Sequence, residues 1–376
     1  MSVTTVKPPF TLHFTTNQSP DNTQPVFGRL RYVAAGHNPE PSPHNYHLPA
    51  ISEFSDVRTL RLHSMRPVPT VDELSSKKNH AQLETHGFTA VYHPTTLHSP
   101  PYTHSSWKDP ALLSKYYIPD TTAMLKALTG CKTVVTESLL LRSAVWTESD
   151  ALATHAGHGE EENTSSAYLD LEKGFPSFIG FNPSSGGVSP APKPHLDYSP
   201  VGARVHIREY HPLLCEAATQ IISAEDTLLS EYPDAPLRDV YSRSLSTKRW
   251  AMYSIWRPLK PVKRDPLALL DQRSMSPDDY IPVGIKTPCL GRTGVEAEKS
   301  HVAEGYLARY SDGHEWFWID EQKPEEVLVI GLFDSELEGK GWKGAGGTLH
   351  SSIELVGQGE YIEARESLEM RCLCIW

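Results

Sequence analysis

The chain has 376 residues, 39% hydrophobic and 22% charged, which is enough apolar material for a folded core, while its apolar runs fall far short of the roughly 20 residues of a membrane span. With 35 Lys+Arg against 46 Asp+Glu the net charge is -11, a field that repels phosphate backbones and anionic lipid, so neither nucleic acid nor a membrane is an expected partner. Five cysteines without metal-ligand spacing, and an N-terminus without the basic end and apolar stretch of a secretory signal, predict a cytoplasmic protein lacking structural disulfides.

Residues 1–55 are rich in Pro, Asn, Ser and Thr with little periodicity, and read as an extended arm packed on a single domain formed by 56–376. A short helical pattern runs from Val71 to Glu84, and Gly87 to His93 reads as a strand. Asp109 is placed to cap Pro110-Ala-Leu-Leu, Pro119-Asp120 opens a second helix, and Gly130 stops it. Lys132 to Val145 is β-branched and leucine-rich, as a strand would be. Residues 147–166 are acidic and turn-rich, a long surface loop that is either a lid or an insertion without function.

Beyond Phe181 short strands alternate with Gly and Pro: Pro194 to Tyr198, Trp250 to Arg257, Glu315 to Ile319, Val327 to Phe333, Thr348 to Leu355 and Arg365 to Trp376. One helical stretch over about 211–231 interrupts them. This pattern predicts a mainly β fold with flanking helices around a double-sheet jelly roll or barrel. No Gly-x-x-x-x-Gly-Lys phosphate loop and no Gly-x-Ser-x-Gly elbow is present.

Eighteen histidines are a compositional oddity, and most sit in irregular Pro- and Ser-rich chain where ligands do not converge. Pro194-His195-Leu196-Asp197-Tyr198 differs, because residues two apart on a strand face the same side and can grip one ion. A third ligand must come from a distant strand. In Gly346-Gly-Thr-Leu-His-Ser-Ser-Ile-Glu-Leu355, His350 lies on the polar face, opposite Leu349, Ile353 and Leu355. Two histidines and one carboxylate on one side of a metal leave three positions open, the arrangement of non-haem Fe(II) oxygenases. The alternative is a hydrogen-bonded structural histidine. Arg365 and Arg371 share one face of the last strand, and a guanidinium fork suits a dicarboxylate such as 2-oxoglutarate; an exposed Arg-Glu ladder competes with that reading.

The ordered set Pro194-His-Leu-Asp-Tyr-Ser199, Ile255-Trp-Arg-Pro-Leu259, Asp265-Pro-Leu-Ala-Leu-Leu-Asp271, Phe333-Asp-Ser335, Leu349-His-Ser-Ser352 and Arg365-Glu-Ser-Leu-Glu-Met-Arg371 resembles a fungal hydroxylase/desaturase family, gibberellin-desaturase-like and cephem-methoxylase-related, within the Fe(II)/2-oxoglutarate oxygenases. The resemblance covers about 85–376. It departs at the distal histidine, where Leu-His-Ser-Ser-Ile stands in place of the usual Pro-His-Thr-Ala-Phe. It implies a double-stranded β-helix (jelly roll, cupin-like) core, with Fe(II) on His195, Asp197 and His350. It also implies 2-oxoglutarate consumed with O2, and hydroxylation, desaturation or oxidative cyclisation of a small molecule in fungal secondary metabolism. Arg365 is assigned the far carboxylate of 2-oxoglutarate, and Arg371 the near carboxylate or the support of Asp197. Tyr198, Trp256 and Arg257 are placed near substrate or co-substrate, with a core Trp beside a structural Arg as the alternative. A zinc hydrolase on the same ligands, or a non-catalytic jelly-roll binding module, are the competing functions. Oligomeric state is open.

Overall fold

In the computed structural model, which describes residues 24–76, 82–145, 174–182, 188–234, 248–293, 299–339, 346–359 and 363–376, the apolar segments pair as strands. In chain order these are β1 (Phe27–Tyr32), β2 (Asp56–Ser64), β3 (Phe88–Tyr92), β4 (Thr133–Arg142), β5 (Ser177–Ile179), β6 (His195–Leu196), β7 (Trp250–Pro258), β8 (Leu267–Leu270), β9 (Tyr280–Pro288), β10 (Ser300–Ala308), β11 (Trp316–Trp318), β12 (Glu326–Asp334), β13 (His350–Ser352), β14 (Glu354–Leu355) and β15 (Ser367–Ile375). A nine-stranded sheet has the order β14-β1-β2-β11-β8-β13-β6-β10-β9, and a six-stranded sheet the order β3-β12-β7-β15-β4-β5. From β6 onward the chain passes back and forth between them, so that β7, β12 and β15 of the small sheet interleave in sequence with β6, β8 and β13 of the large one. That winding is the double-stranded β-helix of a jelly roll.

The small sheet is buried on both faces. Trp250, Met252 and Trp256 of β7, with Leu328 and Ile330 of β12 and Leu373 of β15, enter the main core. The intervening residues, among them Tyr253, Ile255, Val329, Leu368 and Met370, form a second core closed by Leu113, Tyr117, Met124 and Leu125. Those four come from the helical segment 110–129, which starts where the Asp109 carboxylate accepts from the Ala111 and Leu112 N–H groups and ends at Gly130, in the left-handed region at φ 74. Both end signals stand in the sequence. Between them the expected break at Pro119 is absent, because a π-turn over Leu113–Tyr117 carries the helix through.

Several expectations are altered. The helical pattern from Val71 to Glu84 is two short helices, Val71–Ser76 and Leu83–His86. Phe27–Tyr32, within the presumed arm, pairs with β2 and buries Leu30 and Tyr32 in the main core. Helix Pro200–Glu209 was not anticipated, although Ser199-Pro200 is a start signal: the Ser199 hydroxyl accepts from the Gly202 N–H, and Pro200 fills the first turn. β9 and β10 were also missed. In β10 His301 is buried while Val302 is 62% exposed, so the alternation runs against residue type. The acidic stretch 147–166 lies outside the described residues, and among the described residues no helix is long and apolar enough to cross a membrane.

Two histidines away from the barrel mouth make stability acid-sensitive. Burial, then the neighbouring Arg257, pushes His93 down to about 4, and burial, then His206, does the same to His301. Both are neutral in the folded protein over a range where the unfolded chain takes up protons, so stability is full above pH 6.5 and is lost as pH falls towards 4. The thermal midpoint should therefore drop across that window by several degrees, and His301→Gln should shrink the drop; a midpoint flat with pH would contradict the burial of both rings.

Candidate metal centre

Strand register creates the site. His195 of β6 stands opposite both Leu307 of β10 and His350 of β13. Cross-strand partners project to one side, so the two imidazoles meet, their ring centroids 4.4 Å apart. Asp197, two residues on, brings Oδ1 to 3.5 Å from His195 Nε2. One donor atom from each of His195, Asp197 and His350 lies within 4.8 Å of the others, the single such group of three among the described residues.

Each donor is held by a further bond. His195 Nδ1 donates to the Lys193 carbonyl at 2.6 Å, and His350 Nδ1 to the Thr348 carbonyl at 3.4 Å. Those carbonyls fix the tautomer and leave each Nε2 with its lone pair. Burial, then His195, pushes the His350 imidazole down to about 4, so it is neutral at physiological pH. For Asp197, burial raises the pKa, yet the Arg371 guanidinium, with Nη2 3.0 Å from Oδ2, and the two imidazoles together outweigh it. The carboxyl is held well below the usual carboxylate range. A neutral His350 imidazole and an ionised Asp197 carboxylate are protonation states that a divalent cation requires. The donor set fits Fe(II) in a two-histidine, one-carboxylate site.

The remaining predicted residues separate. Arg371 reaches Asp197 from the facing sheet, its Nη2 3.0 Å from Oδ2. Arg365 is buried just ahead of β15. Its Nη1 donates to the Asp265 carbonyl at 2.5 Å and lies 3.4 Å from the Ser352 hydroxyl, its guanidinium is 5.1 Å from the Trp256 ring centroid, and its Nε has no partner. Burial, then Arg142, pushes it down to about 10, so it remains charged. Trp256 stands opposite Glu369, on the face of the small sheet that carries Arg371.

Arg257 requires a correction. It stands opposite Leu368, on the reverse face of the small sheet. There its guanidinium donates to the carbonyls of Pro324 and His93 at 2.6 and 3.0 Å, between the Trp107 and Tyr117 rings. It ties the helical layer to the sheet and cannot meet a ligand at the centre. Tyr198 is likewise engaged, its hydroxyl 3.1 Å from His206 Nε2, which is itself 2.8 Å from the Glu137 carboxylate. Glu137 and His206 were not singled out from sequence. A lone acid inside the apolar run Val134 to Leu141 was the available signal, since a charge on a buried strand needs a partner.

Comparison with known proteins adds the relationships. The family described as "Oxidoreductase/YMDC permease-like domain" matches residues 30–228 and 224–375. The chain is 38% identical to "Oxidoreductase chry3" of Gibberella zeae over 94% of its own length and 99% of the relative's. It is 32% identical to "Gibberellin cluster GA4 desaturase" of Gibberella fujikuroi over 86% of this chain and 91% of that one. Among solved structures, the iron and alpha-ketoglutarate-dependent endoperoxidase NvfI superposes with a TM-score of 0.58 at 21% identity, covering 93% of this chain and 97% of that one.

Replacing Arg371 by Met keeps the stem and removes the counter-charge. Mn(II) affinity measured by titration calorimetry should fall about 10–100-fold. The thermal midpoint of the metal-free protein should fall too, because the Asp197 carboxylate is left without its cation. Unchanged Mn(II) affinity would remove the ion pair from the centre.

Proposed function

The chain belongs to the fungal hydroxylase/desaturase family of Fe(II)/2-oxoglutarate-dependent oxygenases, and we propose that His195, Asp197 and His350 are the protein ligands of its iron. It is an oxidoreductase of the jelly-roll type that works with Fe(II), 2-oxoglutarate and O2. The convergence within 4.8 Å of three donors, from β6, the residue that follows it and β13, carries the ligand assignment. When bound, iron supplies the oxidation of a C–H bond, coupled to conversion of 2-oxoglutarate to succinate and CO2.

The chain's own residues do the positioning. His195 and His350 offer Nε2 because their Nδ1 atoms are tied to backbone carbonyls, and Asp197 offers an oxygen kept ionised by Arg371. Arg365 is our choice for the far carboxylate of 2-oxoglutarate. It is a charged fork in a desolvated site whose hydrogen bonds go to uncharged oxygens, and its Nε is unmet. Trp256 beneath it excludes water from that end. Tyr198 acts from behind Arg371, with its hydroxyl turned to His206 and Glu137.

The substrate is a small molecule, as the relatives' names imply: one belongs to a gibberellin cluster, another is the hydroxylase/desaturase asaB of Aspergillus flavus. Hydroxylation, desaturation and ring closure share the first hydrogen abstraction, so the motif residues are common to all three. The competing zinc hydrolase would have no use for Arg365, and a binding module would have none for the centre. The five free thiols, four of them buried, support a reducing compartment, and we place the chain in the cytosol.

Asp197→Ala should abolish succinate formation while the far-ultraviolet circular dichroism stays as in the parent chain. Arg365→Lys keeps the charge and loses the fork, so KM for 2-oxoglutarate in substrate-free turnover should rise about tenfold. Succinate formation surviving in the Asp197 variant would remove that residue from the ligand set.

A further inference from the structure

Two small apolar clusters flank the metal centre, apart from the two large cores. Leu140, Ile179 and Val188 form one, with Tyr46 packed against it; Leu140 stands opposite Glu369 on the face that carries Arg371. Phe54, Ile281, Val283 and Leu307 belong to the other, with Leu48 against it; Leu307 stands opposite His195. The segment from Tyr46 to Phe54 therefore bridges the walls on either side of the donor triad. It is held with definite geometry: the Tyr46 N–H donates to the Lys286 carbonyl at 2.8 Å and its hydroxyl lies 3.4 Å from that of Tyr210. Tyr46 adopts φ 61, a left-handed conformation that a bulky side chain takes only where the surroundings enforce it.

Into this setting projects one cation. Lys193, half-buried and two residues before His195, donates from Nζ to the Pro49 carbonyl at 2.5 Å and lies 5.6 Å from the Phe54 ring centroid. An ammonium has three donors, and among the described residues no carboxylate pairs with this one. Nearby cations differ: Arg371 is paired with Asp197 and Arg142 with Glu369. A partly desolvated ammonium between apolar walls, with no counter-ion, is a receptor for an anion.

We propose that Lys193 anchors the anionic group of the substrate, and that the substrate is an amphipathic organic acid whose apolar skeleton lies between the Tyr46 and Phe54 clusters. The proposal rests on the oxygenase reading above and adds the substrate class to it. The backbone carbonyl of Pro49 holds the ammonium in place until the acid arrives, and Tyr46 sets the width of the slot.

The test uses the full chain loaded with Mn(II) and 2-oxoglutarate, whose binding is measured first; absence of either would overturn the oxygenase reading before any probe is added. Two fluorescent probes follow, anilinonaphthalene sulfonate and phenylnaphthylamine, which share a ring system and differ in the anionic group. The sulfonate should bind more tightly. Lys193→Met should weaken it at least about tenfold while leaving phenylnaphthylamine, Mn(II) and 2-oxoglutarate unchanged, and Lys193→Arg should restore it to within a few-fold. Equal weakening of both probes, an unchanged sulfonate affinity, or no preference for the sulfonate in the parent chain would overturn the proposal. So would a loss of 2-oxoglutarate affinity in Lys193→Met, which would hand the lysine to the co-substrate.

Discussion

A carboxylate buried between two imidazoles is tolerable only with a fixed cation against it, and the Arg371–Asp197 pair, 3.0 Å across the gap between the sheets, meets that requirement. Everything that positions Arg371 thereby positions the centre. Its strand, β15, lies inside the small sheet with β7 and β4 on either side, and the register shifts between Arg371 and Cys372. Leu368, Met370, Cys372 and Cys374 on the reverse face are locked under the helical layer. The apolar packing of one face of a strand thus sets where a charge stands on the other.

The large sheet has a matching constraint. β6 has only two residues, too few to hold two ligands by its own pairing, and helix Pro200–Glu209 supplies the rest. A side chain at Gly202 would place a Cβ 1.8 Å from the Glu304 carbonyl oxygen, so the helix rests directly on β10. The Ser199 N–H donates to that same carbonyl at 2.7 Å. His206, on the helix, then reaches Tyr198 and Glu137, the latter on β4 of the small sheet. Both sheets are therefore joined twice behind the centre, once by the ion pair and once by this hydrogen-bonded triad.

Strong local patterns made much of this legible in sequence. β7, β12 and β15 are long and apolar, and same-face spacing marks the His195-x-Asp197 pair and puts His350 on a polar face, while their union in one centre was implied by the family resemblance and not by spacing. What escaped was whatever depends on partners distant in sequence. β10 was hidden because His301 is inside and Val302 outside, an inversion of what residue type suggests. Phe27 to Tyr32 was lost in a polar arm because Gly28 and two arginines interrupt its apolar residues. Glu137 and His206 form no motif, since 69 residues separate them.

Arg257 shows the same limit in its sharpest form. It and Arg365 are both buried arginines within motifs that resemble the family, and residue type cannot distinguish them. Their hydrogen bonds do. Arg257 donates to two carbonyls and lies within reach of His93 and His98, so its guanidinium works as a bracket between layers. Arg365 has one short bond to a carbonyl and a more distant hydroxyl, on the face of the small sheet that also carries Arg371. Nε is unmet in both, so the terminal nitrogens decide: both are bonded in Arg257 and, among the described residues, only Nη1 in Arg365, which leaves Nη2 to a ligand. The same reasoning separates Lys193 from the paired Arg142. Around this centre, whether a cation already has a carboxylate partner or both terminal nitrogens bonded divides scaffold from binding group, and that arrangement exists only once the chain has folded.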